Sequence, residues 1–180
     1  SRGPLSSSSR SATATAMLYG LANDMITVTI SPWYFLEHED LPPGTPNVRA
    51  IAAVVALKAT WSLGLVLGVA MLIANNPCRR LPQLPYRRMY SKLLYPFVAA
   101  GACAAILAAA AWSGRFDGLL KIIDIANLRA VSCVYYAHLG AYAGGFVGAV
   151  AAILAIRRQR KRLAAAYGIS RGEEKQALDV

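Results

Sequence analysis

The sequence predicts an all-α integral-membrane helical bundle. It has three clear transmembrane helices, a partial or short N-terminal one, and a short extended outer segment. Three observations carry that reading. Of the 180 residues, 56% are apolar and only 16% are charged, a balance too hydrophobic for a typical soluble domain. Three apolar runs are long enough to cross a hydrocarbon core, which takes about 20 helical residues. They are Ala50–Ala74, broken only by Lys58, Leu93–Trp112, without a charge, and Val131–Ile156, with one histidine. Finally, 19 basic residues face 9 acidic ones, a net charge of +10, and an apolar chain must concentrate that surplus outside its lipid-facing parts. A chain this short has no shell of polar helices to bury three such runs in a soluble core.

The opening SRGPLSSSSR is polar, and residues 1–10 are expected to be disordered. The chain starts without methionine, which leaves a processed segment or a truncated start open. A single transmembrane domain follows over 11–156, with spans at about 11–27, 50–74, 93–112 and 131–156, then a basic tail over 157–180. In the first span Met17, Leu18, Tyr19 and Leu21 are apolar, and Asn23 and Asp24 mark its outer boundary. Ile26, Val28 and Ile30 then alternate with Thr27, Thr29 and Ser31, a period of two that predicts extended backbone. Pro32 stops a helix from running through and disfavours helical backbone at Ser31. Trp33, Tyr34 and Phe35 fall where rings prefer to be, at the headgroups. Leu41–Pro46, LPPGTP, is a stiff turn into the second span.

The basic residues set the orientation. Arg79, Arg80, Arg87, Arg88 and Lys92 fill the connection from Asn75 to Lys92, and Arg157, Arg158, Arg160, Lys161 and Arg162 follow the last span. Two crossings separate these clusters, so both satisfy the rule that Lys/Arg-rich short loops stay cytoplasmic. With the partial first helix, the chain makes four spans with both termini inside. Asp24, Glu37, Glu39 and Asp40 lie outside, as does 113–129. Leu119, Leu120, Ile122, Ile123 and Ile125 alternate there with charges, which fits an interfacial amphipathic helix or a buried connector.

Gly140, Gly144 and Gly148 recur every four residues along one ridge, with Gly145 beside them, and Gly64 and Gly68 do the same on the second span. Absent side chains let helix backbones approach closely. The third span, AAGACAAILAAAA, is small on nearly every face. Tight internal packing is favoured over a homodimer face.

Chemistry inside a membrane begins with ionisable groups. Lys58, nine residues past Arg49, falls near mid-membrane, about 13 Å from the outer end of its helix. His138 is in the outer half of the last span, with Tyr135, Tyr136 and Tyr142 at its depth, and Asp24 ends the first. An outer polar cluster of Asp24, Lys58, His138 and Tyr142, with Asp24 or Asn23 answering Lys58, is one reading. A snorkelling lysine and a histidine bonded to a backbone carbonyl is the other. Glu37, His38, Glu39 and Asp40 lie side by side, but neighbours cannot all converge on one ion, so a solvated acidic loop is expected and no metal site. Cys78, Cys103 and Cys133 form no CxxC, which argues for neither a disulfide framework nor a zinc site. No nucleophile elbow, phosphate loop or HExxH occurs, so no catalytic residue is assigned and no cofactor is named. Topology accounts for the basic residues, which makes nucleic acid a poor partner. Anionic lipid headgroups suit RRQRKR better.

Tyr19-Gly20, Asn23-Asp24, Thr27, Ser31-Pro32 and Tyr34-Phe35 resemble the pattern YGxxHDQxTxxxSPEYF of a family of small bacterial integral-membrane proteins of unknown function. Ala59–Gly68, ATWSLGLVLG, is similar too, as are His138, Tyr142, Gly144-Gly145 and Gly148 before the basic helix end. Asn23, Met25 and Trp33 stand where the family has histidine, glutamine and glutamate. The resemblance implies four spans in a bacterial plasma membrane and no known activity. The expected role is a non-enzymatic structural, assembly or accessory subunit, in contact with lipids and other membrane proteins. A small carrier or ion-conducting protein using Lys58 and His138 is the alternative, and a membrane enzyme with an outward-facing site the third reading.

Overall fold

The computed structural model describes residues 4–75, 81–116 and 128–167. Its elements are helical: α1 (Pro4–Ile30), α2 (Pro32–His38), α3 (Val48–Asn75), α4 (Tyr86–Trp112) and α5 (Leu128–Ala166). Three of them, α3, α4 and α5, are long and apolar enough to cross a membrane. At most 28% of their most apolar stretches is buried. Val66, Ile73, Leu94, Val98, Ile106, Phe146 and Val147 all point outward. Water would not tolerate so continuous an apolar surface, whereas lipid matches it.

Helix boundaries correct several expectations. Helix α1 begins at Pro4, within the segment expected to be disordered, and it runs through Ile26, Val28 and Ile30, where alternation predicted extended backbone. A strand without a partner leaves its amides unsatisfied, while a helix satisfies them internally, and in apolar surroundings that outweighs the β-propensity of isoleucine, valine and threonine. Ser31 breaks the helix. Its amide still donates to the Thr27 carbonyl at 3.0 Å, but its backbone is extended and its Oγ accepts from the Tyr34 amide at 3.4 Å. Pro32 then opens α2, where its missing N–H costs nothing. The three rings thus sit on a short helix.

The first part of the basic tail is helical, because α5 continues to Ala166. Its 39 residues span roughly 58 Å, about twice the thickness of a hydrocarbon core. Leu119, Leu120, Ile122, Ile123 and Ile125, read as an amphipathic helix or a connector, lie outside the described residues, as do Cys78, Arg79 and Arg80.

The chief contacts pair α1 with α3 and α4 with α5, and α3 joins the pairs along α5. Ridges of small residues spaced by four form these seams. On α1 the ridge positions, all buried, are Ala12, Ala16, Gly20, Asp24 and Val28. On α3 they are Ala52, Ala56, Gly64 and Gly68, and on α5 Gly140, Gly144, Gly148, Ala152, Ile156, Arg160 and Ala164. A methyl group on Gly140, Gly144 or Gly148 would run into the α4 backbone at Cys103, Ala99 and Pro96 respectively, and one on Gly64 would meet α1 at Thr13. Larger side chains fill the two ends. Val28, Phe35, Ala52 and Val134 pack at the α2 end; Met71, Leu72, Leu84, Met89, Leu93 and Ile156 pack at the basic end.

Candidate functional site

At the α2 end, α1 and α5 each offer one ionisable side chain to the seam. Asp24 continues the ridge of Ala16 and Gly20, so its carboxylate points inward, and it is only 5% exposed. His138 answers from α5: its Nε2 lies 3.1 Å from Asp24 Oδ1. The Asn23 amide donates to the same oxygen at 3.1 Å. The other ring nitrogen, Nδ1, sits 2.8 Å from the Val134 carbonyl one turn back. Both nitrogens therefore face acceptors. A proton on Nε2 makes the Asp24 contact a charge-assisted bond, and a ring carrying two protons would donate to both acceptors.

Helix α2 closes this pair over. The Tyr34 ring stacks on His138 at 5.1 Å and 19°, and on His38 at 6.0 Å and 3°. Phe35 meets His138 edge-on at 6.1 Å and is fully buried between α1, α3 and α5. Thr27 returns its hydroxyl to the Asn23 carbonyl at 3.1 Å, so it adds no donor to the site. Burial pushes the Tyr34 phenol up to about 12, and Tyr142, Asp24 and Tyr135 add to the same effect. About one and a half turns below Asp24, the Tyr19 hydroxyl is buried without a hydrogen-bond partner among the described residues, while its ring packs on Phe97.

Of the predicted cluster, the structure joins Asp24 and His138, and Tyr142 stands near them, about half exposed. It does not bring in Lys58. That residue is exposed on the outer face of α3, because the inward ridge of its helix is Ala52, Ala56 and Gly64. The expected answer of Asp24 or Asn23 to Lys58 is therefore replaced by His138. Glu37, His38, Glu39 and Asp40 are all exposed.

No family model matches the chain, and no curated protein or solved structure shows significant similarity to it. The site's chemistry therefore rests on its own residues.

A second polar knot lies at the basic end and corrects one assignment. Arg160, expected among the headgroup-binding residues, is 3% exposed. Its guanidinium donates to the carbonyls of Ala74 at 3.0 Å, Leu81 at 2.9 Å and Pro82 at 3.2 Å, closing the C-terminal end of α3. Asn75 completes the knot: its amide donates to the Leu84 carbonyl at 3.0 Å and its oxygen accepts from the Leu84 amide at 2.8 Å. Arg157, Arg158, Lys161 and Arg162 remain exposed. The sequence carried a signal for Arg160, which falls four residues past Ile156 on the ridge of Gly140, Gly144 and Gly148. A run of basic residues obscured it. Asn75 had no comparable signal, since it reads as the first polar residue after a span.

Proposed function

We propose that the chain is a non-enzymatic integral-membrane protein of a bacterial plasma membrane, acting as a structural or accessory subunit. In this reading it makes four crossings with both termini cytoplasmic. The buried Asp24–His138 pair, sealed by Tyr34 and Phe35, carries the proposal. Asp24 Oδ1 and both His138 ring nitrogens have partners within the chain, and the pair ties α1 to α5 beneath a cap supplied by α2. That is how a lock is built. A transport relay needs a next group to receive the proton or ion, and Lys58, the natural candidate, faces away. Below the pair, the glycine seams bring helix backbones together and leave no room for a wide path. The resemblance to the small bacterial membrane family belongs to the same reading, because Asp24, Ser31, Pro32, Tyr34, Phe35 and His138 meet at this one place. Arg157, Arg158, Lys161 and Arg162 supply the contact with anionic headgroups, at about 1 kcal/mol each.

Two measurements test this. A reporter after Val180 should be cytoplasmic and one inserted at Gly44 external. The full chain, solubilised gently from native membranes, should retain a stoichiometric protein partner, and in liposomes it should pass no protons or cations above the level of empty vesicles. A flux that disappears in His138→Gln would overturn the structural reading in favour of a carrier.

A further inference from the structure

Lys58 and Trp61 stand three residues apart on α3 and share its outward face with Val54 and Leu65. Lys58 is exposed, and Trp61 is 51% exposed. The apolar run Ala50–Ala74 is centred on Ser62, so Trp61 lies at mid-membrane and Lys58 about 6 Å outward of the centre. Neither side chain can accept a hydrogen bond: the ammonium and the indole N–H only donate. Among the described residues, no hydrogen bond or ion pair engages either. Hydrocarbon offers no acceptor. A lysine stem adds roughly 6 Å, which carries the charge to roughly 12 Å from the centre, short of a half-thickness of about 15 Å. Trp61 has no such reach, and its ring lies far from the interfacial belts where tryptophan is favoured.

We propose that the α3 face bearing Val54, Lys58, Trp61 and Leu65 docks a membrane-spanning helix of another protein, which presents a carboxylate to Lys58. This rests on the accessory-subunit reading and names the chemistry of the partner. Charge complementarity selects the occupant, because an ammonium at this depth calls for an anion at the same depth. Among the described residues, a second copy does not supply one. Two-fold pairing through this face opposes lysine to lysine. Of the acids described, Asp24 is bound to His138, and Glu37, Glu39 and Asp40 lie beyond the span. Trp61, large and rigid, is the side-chain type that anchors the centre of an interface.

The test uses the full chain in vesicles with a synthetic leucine-rich transmembrane peptide carrying one central glutamate, and a counterpart carrying glutamine. Energy transfer between labels reads association. The glutamate peptide should bind at least tenfold more tightly than the glutamine peptide. Lys58→Met should erase that difference, and Trp61→Leu should weaken both. Equal binding of the two peptides, or a preference that survives Lys58→Met, would overturn the proposal. The lipid alternative has its own readout in a Trp33→Phe, Trp112→Phe background. If brominated phosphatidylglycerol quenches Trp61 more than brominated phosphatidylcholine, and Lys58→Met removes the excess, the lysine serves a headgroup and the docking face is wrong. A native partner that stays stoichiometric in Lys58→Met would also overturn the docking face while leaving the accessory reading intact. Wild-type protein without any partner would end both.

Discussion

His138 Nε2 lies 3.1 Å from Asp24 Oδ1, across 114 residues of sequence and between the first long helix and the last. The side chains are 15% and 7% exposed, so removing either strands a buried partner. Asp24→Asn and His138→Gln should each lower thermal stability in detergent by up to about 3–5 kcal/mol. The double variant should lose much less than the sum. Asp24→Asn combined with Lys58→Met should add to within about 0.5 kcal/mol, as uncoupled sites do. Additivity between Asp24 and His138 would mean the contact contributes nothing.

Glycines on the same bundle should behave in opposite ways. Gly144 meets the α4 backbone at Ala99, whereas nothing stands within 4 Å of a methyl group placed on Gly101. Gly144→Ala should cost about 1–3 kcal/mol through overpacking, and Gly144→Leu more. Gly101→Ala should be neutral or stabilise by up to about 1 kcal/mol, since alanine is the better helix former. Equal melting shifts for the two alanine variants would place the seam elsewhere.

The arginines of the basic end should divide. Arg160→Met removes the donor for three carbonyls and should cost at least about 2 kcal/mol, while vesicle binding keeps its preference for anionic lipid. Arg157→Ala and Arg158→Ala should change stability by no more than about 0.5 kcal/mol and should weaken anionic-vesicle binding. The reverse pattern would return Arg160 to the headgroups.

Tyr34 sets an alkaline limit. Its phenol is held neutral up to about 12, mainly by burial, against an ordinary value of 10.0. Below pH 10 the phenol is neutral folded or unfolded, so its contribution is complete. Between pH 10 and 12 the unfolded chain releases the proton and the folded chain does not, so stability falls as pH rises. Melting curves across that window should decline more steeply for the wild type than for Tyr34→Phe, and an ultraviolet titration should lose a tyrosine that ionises near pH 12. Parallel declines would mean that Tyr34 is not buried on His138.

The seams were legible because one physical rule creates them. Gly140, Gly144 and Gly148 repeat every four residues, and a helix places such positions on one ridge whatever it meets. The misreading of Ile26–Ile30 has a physical cause too. Period two is a strand signal only where a neighbouring strand pairs the backbone, and among the described residues no strand lies beside the end of α1. For Lys58, depth was read from position along the helix, but direction around the helix was not weighed: the inward ridge of Ala52, Ala56 and Gly64 already turns residue 58 outward.

The sequence by itself determined the solvent of this protein and much of its outline. Three runs of apolar residues, charges gathered beyond them and a proline after Ser31 decide what faces lipid and where a helix must break, because those are local costs borne by each residue alone. Tertiary structure alone decided which polar groups meet. Asp24 could have answered Lys58 from an adjacent span, and Arg160 could have joined its basic neighbours at the surface. Backbone contact along the glycine seams instead turns Asp24 toward α5, seats Phe35 over the pair and draws Arg160 under the end of α3. A buried charge takes the partner that the packing places within reach.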